Sequence, residues 1–323
     1  MKRTWTAALV AGAIAVTGAL PALAQDDMSA EGANITLMVG VKGDPFYISM
    51  ECGAQEAAAA AGVSLDVQGP DRFDVILQNP MLDAVAAAQP DALLVAPNDR
   101  TASAGPLANM QEAGTQVVLV DTIVDDPSIG VSRIATDNFL GGVKAAEALD
   151  VLGLEAGAKV LVISTNPGVS SVDARVDGFN EKAAEYGYEL VAETQYSNNE
   201  ASVAAQIISA QLQADPDLAG VFATNLFTAQ GVATGVRQAG AEGVQVVGFD
   251  AGPDQVLQLQ AGDVQALVAQ QPFTIGKMGI EQAVAALTGG EITPEIQTES
   301  TVVTMDNIDD PDVAQFLYKG ACD

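Results

Sequence analysis

The 323-residue chain contains no histidine, and its one tryptophan, Trp5, lies close to the start. It therefore lacks the side chain that most often serves as a general base or as a metal ligand. Catalysis by carboxylates or lysine remains open, but the sequence has no nucleophile-elbow motif, no glycine-rich phosphate loop with lysine and no metal-ligand cluster. We therefore expect a protein that is not an enzyme and that holds no cofactor or metal.

Basic residues are also scarce, with 13 Lys and Arg against 42 Asp and Glu, so that the formal net charge is −29. Such a surface repels phosphate backbones, which argues against nucleic acid as a partner. The hydrophobic content of 49% is too high for a disordered chain.

No apolar run reaches the length of about 20 residues that a membrane span requires. The chain opens with Lys2 and Arg3, continues with an uncharged apolar run over 7–20, and then reads Ala22-Leu23-Ala24. This order is typical of a secretion signal, so we predict a signal peptide over 1–24, cleavage after Ala24 and a flexible lead over 25–33. The predicted location is the periplasm.

Only two cysteines are present, Cys52 and Cys322. An exported chain enters an oxidising compartment, where an even cysteine count favours one disulfide. The alternative is two separate buried thiols, although a residue so near the terminus as Cys322 has little core in which to be buried.

Short apolar segments alternate with helical segments twice along the chain. Near-continuous apolar strands between helices indicate parallel sheets that are covered on both faces. The pattern predicts an α/β fold with two doubly wound lobes, in which ligands bind beyond the carboxyl ends of the strands. The predicted strands are 35–41, 64–68, 92–96 and 116–120 in the first half, and 159–163, 189–192, 220–223, 244–248 and 266–269 in the second.

Carboxylates and amides recur just after these strands. Such groups can bind hydroxyls, but they are also the preferred N-caps of helices. We favour capping for Asp99 and Asn166, whereas the recurrence favours binding for Asp44, Asp121, Asn225 and Asp250. The neighbouring aromatic residues Phe46 and Tyr47 offer flat faces to a sugar or belong to the core.

Several motifs follow one another at spacings that resemble the periplasmic binding proteins of the ribose-binding type, over about residues 34–300. They are Asp44-Pro45-Phe46-Tyr47, Asp137-Asn138-Phe139-Leu140-Gly141-Gly142, Ala174-Arg175-Val176-Asp177-Gly178-Phe179, Val221-Phe222-Ala223-Thr224-Asn225, Val247-Gly248-Phe249-Asp250 and Ala269-Gln270-Gln271-Pro272.

The resemblance implies a type I periplasmic binding fold, whose two lobes are joined by a three-strand hinge. The N-terminal lobe is then 34–136 plus 271–299, and the C-terminal lobe with its tail is 137–270 plus 300–323. It also implies a binding component of an ABC importer that takes a sugar or polyol, acts as a monomer and delivers its ligand to an inner-membrane permease. The ligand contacts carried over by motif are Asp44, Phe46, Tyr47, Asp121, Arg175, Asn225, Asp250 and Gln270, with the aromatic pair sandwiching the sugar ring.

Two positions depart from the ribose-binding pattern. Thr122 stands where ribose binders carry arginine, and Leu226, followed by Phe227, stands where they carry aspartate. We include Thr122 and Phe227 among the candidate contacts, but these changes argue against ribose itself. The excess of carboxylates argues against an anionic sugar acid. Pentoses and four- to six-carbon polyols rank first, hexoses second, and cationic or furanosyl signalling molecules third.

Two other functions are compatible with the resemblance. One is a ligand sensor that feeds a chemotaxis receptor or a sensor kinase. The other is a transcription regulator of the lactose-repressor type, which would need a DNA-binding headpiece where this chain has a signal peptide.

Overall fold

The computed structural model describes residues 1–2 and 29–322, so most of the predicted signal peptide lies outside the described residues. In chain order the strands are β1 (Asn34–Met38), β2 (Ser64–Gln68), β3 (Ala92–Val95), β4 (Gln116–Val120), β5 (Ser132–Thr136), β6 (Lys159–Ser164), β7 (Glu189–Leu190), β8 (Gln195–Tyr196), β9 (Leu218–Ala223), β10 (Gln245–Phe249), β11 (Ala266–Ala269), β12 (Glu295–Thr298) and β13 (Thr301–Val303).

Helices follow most of these strands. They are α1 (Pro45–Ala61), α2 (Val75–Ala88), α3 (Ala104–Glu112), α4 (Asn138–Val151), α5 (Ser170–Tyr186), α6 (Ala201–Ala214), α7 (Leu226–Ala239), α8 (Pro253–Ala261), α9 (Pro272–Thr288) and α10 (Pro311–Ala314). Among the described residues, no helix is both long and apolar enough to cross a membrane.

The strands form two sheets. The first has the order β12-β5-β4-β3-β1-β2, and all its pairings are parallel. The second has the order β13-β11-β10-β9-β6-β7, with β8 also beside β6, and only its edge strand β13 runs antiparallel to its neighbour. The predicted α/β class with two parallel sheets is confirmed.

Each sheet is buried on both faces because its strands carry apolar side chains at successive positions. In β3, Leu94 packs in the cluster that contains α1 and α9, whereas Leu93 and Val95 face the opposite cluster with α2 and α3. All three side chains are fully buried, which stabilises the fold by about 1.5–3 kcal/mol per side chain.

The chain passes between the sheets at three places, which lie after β5, after β11 and after β12. The first passage leads into α4, which packs on the second sheet, and the second leads into α9, which packs on the first. The carboxyl ends of the strands in both sheets therefore meet at these passages.

Some short elements were not predicted. Strand β7 was predicted as 189–192 and spans only Glu189–Leu190, whereas β5, β8, β12 and β13 were not predicted. Strand β8 contains two residues, and β12 is an edge strand with mostly polar residues. Such segments lack the apolar run by which the buried strands were recognised, because they bury few side chains.

Candidate functional site

Two aspartates at the strand ends adopt the same unusual backbone conformation. Asp121 follows β4 of the first sheet, Asp250 follows β10 of the second, and their φ angles are +64° and +77°. The left-handed region is uncommon for residues other than glycine, and it is often occupied at functional sites. Both side chains are buried and line one polar cavity between the sheets.

This cavity brings together most of the residues predicted to contact a ligand. Thr122 and Phe227 do not line it: the Thr122 hydroxyl donates to the Pro97 carbonyl at 2.8 Å, and Phe227 lines a neighbouring depression. The predicted residues that line the cavity are Asp44, Phe46, Tyr47, Asp121, Arg175, Asn225, Asp250 and Gln270.

The start of helix α1 supplies three of these side chains. Asp44 is the N-cap of α1 and accepts a hydrogen bond from the Phe46 amide at 2.9 Å. It therefore caps the helix and also lines the cavity. The ring centroids of Phe46 and Tyr47 are 5.1 Å apart and the planes meet at 83°. Consecutive helical residues point about 100° apart. The two rings therefore do not form the parallel walls that a sandwich of a sugar ring requires.

Tyr47 contributes a polar group as well. Its hydroxyl donates to Oδ2 of Asp121 at 2.8 Å, which fixes the carboxylate at the end of β4. Hydrogen bonds also hold the carboxylate of Asp250, which follows β10 of the second sheet. Its Oδ2 accepts from the Leu226 amide at 2.9 Å, and its Oδ1 accepts from the Gln270 side chain at 2.7 Å.

Arg175 projects from α5 and is almost fully buried. Its Nε donates to Oδ1 of Asn138 at 2.9 Å, its Nη1 donates to the Thr224 carbonyl at 2.8 Å, and its guanidinium lies 3.7 Å from the centre of the Phe249 ring. Helices α4 and α5 approach closely enough for this arrangement because Gly142 has no side chain; a Cβ there would collide with the Arg175 carbonyl.

Arg175 is the one arginine among the described residues that line the cavity, and burial changes the protonation of two of the three carboxylates, Asp44 and Asp121. Burial and, to a smaller extent, the Asp250 charge raise the pKa of Asp44 to about 8, although the hydrogen bond from the Phe46 amide opposes this shift. Burial raises the pKa of Asp121 to about 6, although the Arg175 charge opposes this shift. At neutral pH, Asp44 therefore holds its proton and can donate a hydrogen bond, whereas most of Asp121 is ionised and accepts.

Three polar atoms on the residues lining this cavity are buried without a hydrogen-bond partner in the described part of the chain. They are Nη2 of Arg175, Oδ1 of Asn225 and Oγ1 of Thr165. Buried polar groups in proteins are almost always hydrogen-bonded, so these atoms indicate a donor, an acceptor and a hydroxyl available to a polar ligand. Residues 1–2 and 29–322 contain no cluster of acidic or cysteine side chains that could hold a metal ion.

The sequence analysis missed other residues that line the cavity. Thr165 directly follows β6, so the rule that drew attention to Asp121 and Asp250 also applies to it. The other missed residues do not follow a strand, so the sequence did not mark them as candidates. They are Phe73, Val169, Ser171 and Val172.

The two residues assigned to capping differ in outcome. Oδ1 of Asp99 accepts from the amides of Thr101 and Ala102 at 2.8 and 2.6 Å, so that it caps the turn that leads into α3. The prediction for Asn166 is wrong, because α5 begins later and has Val169 at its N-cap position.

The predicted disulfide is confirmed. Cys52 of α1 is bonded to Cys322, 270 residues further along the chain, with the two Cα atoms 5.2 Å apart.

Two parallel sheets that face each other across a polar cavity, with three chain passages beside it, define a two-lobed solute-binding protein. The family model of the periplasmic binding protein domain matches residues 35–291, so the chain belongs to this family. This confirms the resemblance seen in the sequence motifs.

Relatives of this chain include sugar-binding proteins. The ribose import binding protein of Escherichia coli K12 is 29% identical over 291 residues, which cover 90% of this chain and 95% of that protein. A solute-binding protein of an ABC transporter from Agrobacterium vitis, bound to α-D-tagatopyranose, is 41% identical and has a TM-score of 0.86. That match covers 89% of this chain and 99% of the other chain. A carbohydrate transporter solute-binding protein from Agrobacterium radiobacter, in complex with D-arabinose, is 28% identical, with a TM-score of 0.84 and coverage of 88% and 99%.

Proposed function

We propose that this protein is the periplasmic solute-binding component of an ABC importer and that it captures a neutral sugar or polyol in the cavity between its lobes. The observation that carries the proposal is that Asp121 after β4, Asp250 after β10 and Arg175 of α5 converge on one buried cavity. Charged groups held in this way form strong hydrogen bonds with hydroxyls, which both donate and accept.

Capture by closure is supported by contacts at the rim of the cavity. The Arg100 amide donates to the Gly168 carbonyl at 2.9 Å, and the Ile123 amide donates to the Ser170 hydroxyl at 2.8 Å. The first bond joins a loop of the first sheet to the loop that precedes α5, and the second joins another such loop to the first residue of α5. We propose that these bonds break when the lobes 34–136 plus 271–299 and 137–270 plus 300–323 separate about the three passages.

The charges narrow the class of ligand. A buried anion would be repelled by the charges of Asp121 and Asp250 and balanced by one arginine only, so a sugar acid is disfavoured. The protonated Asp44 and the unpartnered Arg175 Nη2 can both donate to ligand oxygens. We propose a neutral monosaccharide, and the relative bound to α-D-tagatopyranose supports testing ketohexoses beside the pentoses and polyols that the sequence favoured.

The remaining parts of the proposal follow from the family. We propose export by the signal peptide over 1–24, action as a monomer in the periplasm and delivery of the ligand to an inner-membrane permease. The acidic surface is compatible with a soluble carrier that does not bind nucleic acid.

A thermal-shift screen tests the function. The purified mature protein is heated with D-tagatose, D-arabinose, D-ribose, D-fucose, D-allose and a set of polyols, with D-gluconate and D-galacturonate as anionic controls. A ligand present at about 100 times its Kd stabilises the folded state by about 2.7 kcal/mol. We expect at least one neutral compound to raise Tm and neither acid to do so.

A matched variant separates binding at this cavity from a general solvent effect. Asp121→Asn keeps the shape of the side chain but removes its charge, so the same compound should raise Tm much less in this variant. If no neutral sugar or polyol stabilises the wild-type protein, the proposed ligand class is wrong.

A further inference from the structure

The C-terminal segment after β13, residues 304–322, forms a fourth connection between the lobes besides the three passages. Its first part packs on the second sheet, where Ile308 and Phe316 lie in the cluster with α7 and α8. Its last part lies on the first lobe, where Tyr318 joins the cluster of α1 and Cys322 is bonded to Cys52.

The backbone of this segment is held by hydrogen bonds on both sides of the point where it passes from one lobe to the other. The Tyr318 amide donates to the Ala251 carbonyl at 3.0 Å, just beyond β10 of the second sheet. The next amide, that of Lys319, donates to the hydroxyl of Ser49 in α1 at 2.7 Å. Consecutive residues are therefore bonded to opposite lobes, which places the Tyr318 side chain at the boundary between them.

The Tyr318 hydroxyl sits between two residues of the cavity. It donates to Oδ1 of Asp250 at 2.8 Å and accepts from the backbone amide of Gln270 at 3.1 Å. Burial, together with the Asp250 charge, raises the pKa of this hydroxyl well above its ordinary value, so that it keeps its proton and remains a donor. Its ring packs edge-on against Phe46, with centroids 5.8 Å apart.

We propose that Tyr318 is a positioning residue of the binding site, which holds the Asp250 carboxylate in place for the ligand although it does not itself line the cavity. Asp250 has a left-handed backbone, and its orientation is fixed by donors from Leu226, Gln270 and Tyr318. Losing the tyrosine donor leaves Oδ1 with the Gln270 side chain alone. The carboxylate must then be ordered when the ligand binds, which lowers affinity.

The first test needs no ligand. The Leu226 amide donates to the other carboxylate oxygen of Asp250, so its hydrogen exchange reports how firmly that carboxylate is held. In ligand-free Tyr318→Phe, which keeps the ring, we expect the Leu226 amide to exchange at least about threefold faster than in the wild type. The Asn34 amide, bonded to Asp91 far from the cavity, should not change. Unchanged exchange at Leu226 would overturn the proposal.

The second test measures affinity and rests on the proposed function, with D-tagatose as the probe in titration calorimetry. Tyr318→Phe should bind about tenfold to a hundredfold more weakly, as expected for the loss of a hydrogen bond to a charged group. Tyr188→Phe is the matched control, because it removes a largely buried hydroxyl that lies 3.5 Å from the Leu154 carbonyl and is far from Asp250. Its affinity should equal that of the wild type.

A double-mutant cycle separates positioning from a general structural role. If Tyr318 acts through Asp250, Tyr318→Phe should change affinity by less than about twofold in an Asp250→Ala background. Equal effects in both backgrounds would refute the proposal. If D-tagatose does not bind the wild-type protein, that result counts against D-tagatose as a ligand under the proposed function. The exchange of the Leu226 amide still decides whether Tyr318 holds Asp250.

Discussion

Replacing Arg175 with methionine tests the position of the binding site most directly. Methionine fills much of the same volume but makes none of the bonds from the guanidinium to Asn138 and Thr224. It also removes the unpartnered Nη2 that we assign to the ligand. The binding site keeps its shape and loses its one buried positive charge.

The expected loss of ligand affinity follows from the burial of Arg175. Truncating one partner of a buried, charged hydrogen bond costs about 2–5 kcal/mol of binding free energy. A micromolar complex has only about 8 kcal/mol in total, so Arg175→Met should weaken binding about thirtyfold to several thousandfold. Without the arginine charge, the pKa of Asp121 should also rise above its value of about 6, because Arg175 is the group that lowers it most.

Titration calorimetry with the sugar that gives the largest thermal shift measures the change. Arg237→Met is the matched control, because this arginine is 57% exposed and pairs with Asp263 at 2.6 Å on the surface. Its affinity should stay within about twofold of the wild type, because Arg237 does not line the cavity, and its exposed ion pair contributes only about 0–1 kcal/mol to stability. Asp99→Ala should cost about 1 kcal/mol of stability through its lost cap and leave affinity unchanged. If Arg175→Met binds like the wild type while Asp99→Ala abolishes binding, the site lies elsewhere.

Three further predictions concern stability and processing. The folded states of Asp121 and Asp44 keep protons that the unfolded chain releases near pH 3.8, so their contribution is full below that pH and is lost as the pH rises through about 6 and about 8. Urea unfolding of the ligand-free protein should therefore show lower stability at pH 8 than at pH 5, with a smaller difference in Asp44→Asn; equal stability at both would contradict these pKa values. Replacing Cys52 and Cys322 by serine should lower the free energy of unfolding by about 5 kcal/mol, since the bond closes a loop of 270 residues; an unchanged urea midpoint would show that the bond does not constrain the unfolded chain. Mass spectrometry of the periplasmic protein should show Gln25 as the first residue, and an intact Met1 on a membrane-bound species would contradict cleavage.

The sequence by itself determined the fold class and the main elements of the site. Apolar runs such as β3 and β4 alternate with helical segments, and this alternation indicates parallel sheets that are covered by helices and bind ligands at their carboxyl ends. Asp121 and Asp250 could be identified because they follow such runs immediately. Arg175 came from a motif resemblance, and its helix packing explains why the motif carries glycine at position 178, where a Cβ would collide with the Phe139 carbonyl.

Other features were decided only by the tertiary structure. Nothing in the sequence shows that Tyr318, 68 residues after Asp250, bonds to its carboxylate, because that contact depends on where the tail crosses between the lobes. Thr122 also follows a strand, yet its hydroxyl bonds to Pro97 and points away from the cavity. Strand periodicity gives the face of a side chain only inside the strand; beyond its end, the backbone turn sets the direction. The orientation of each polar group around the cavity therefore comes from the packing of both lobes and not from local pattern.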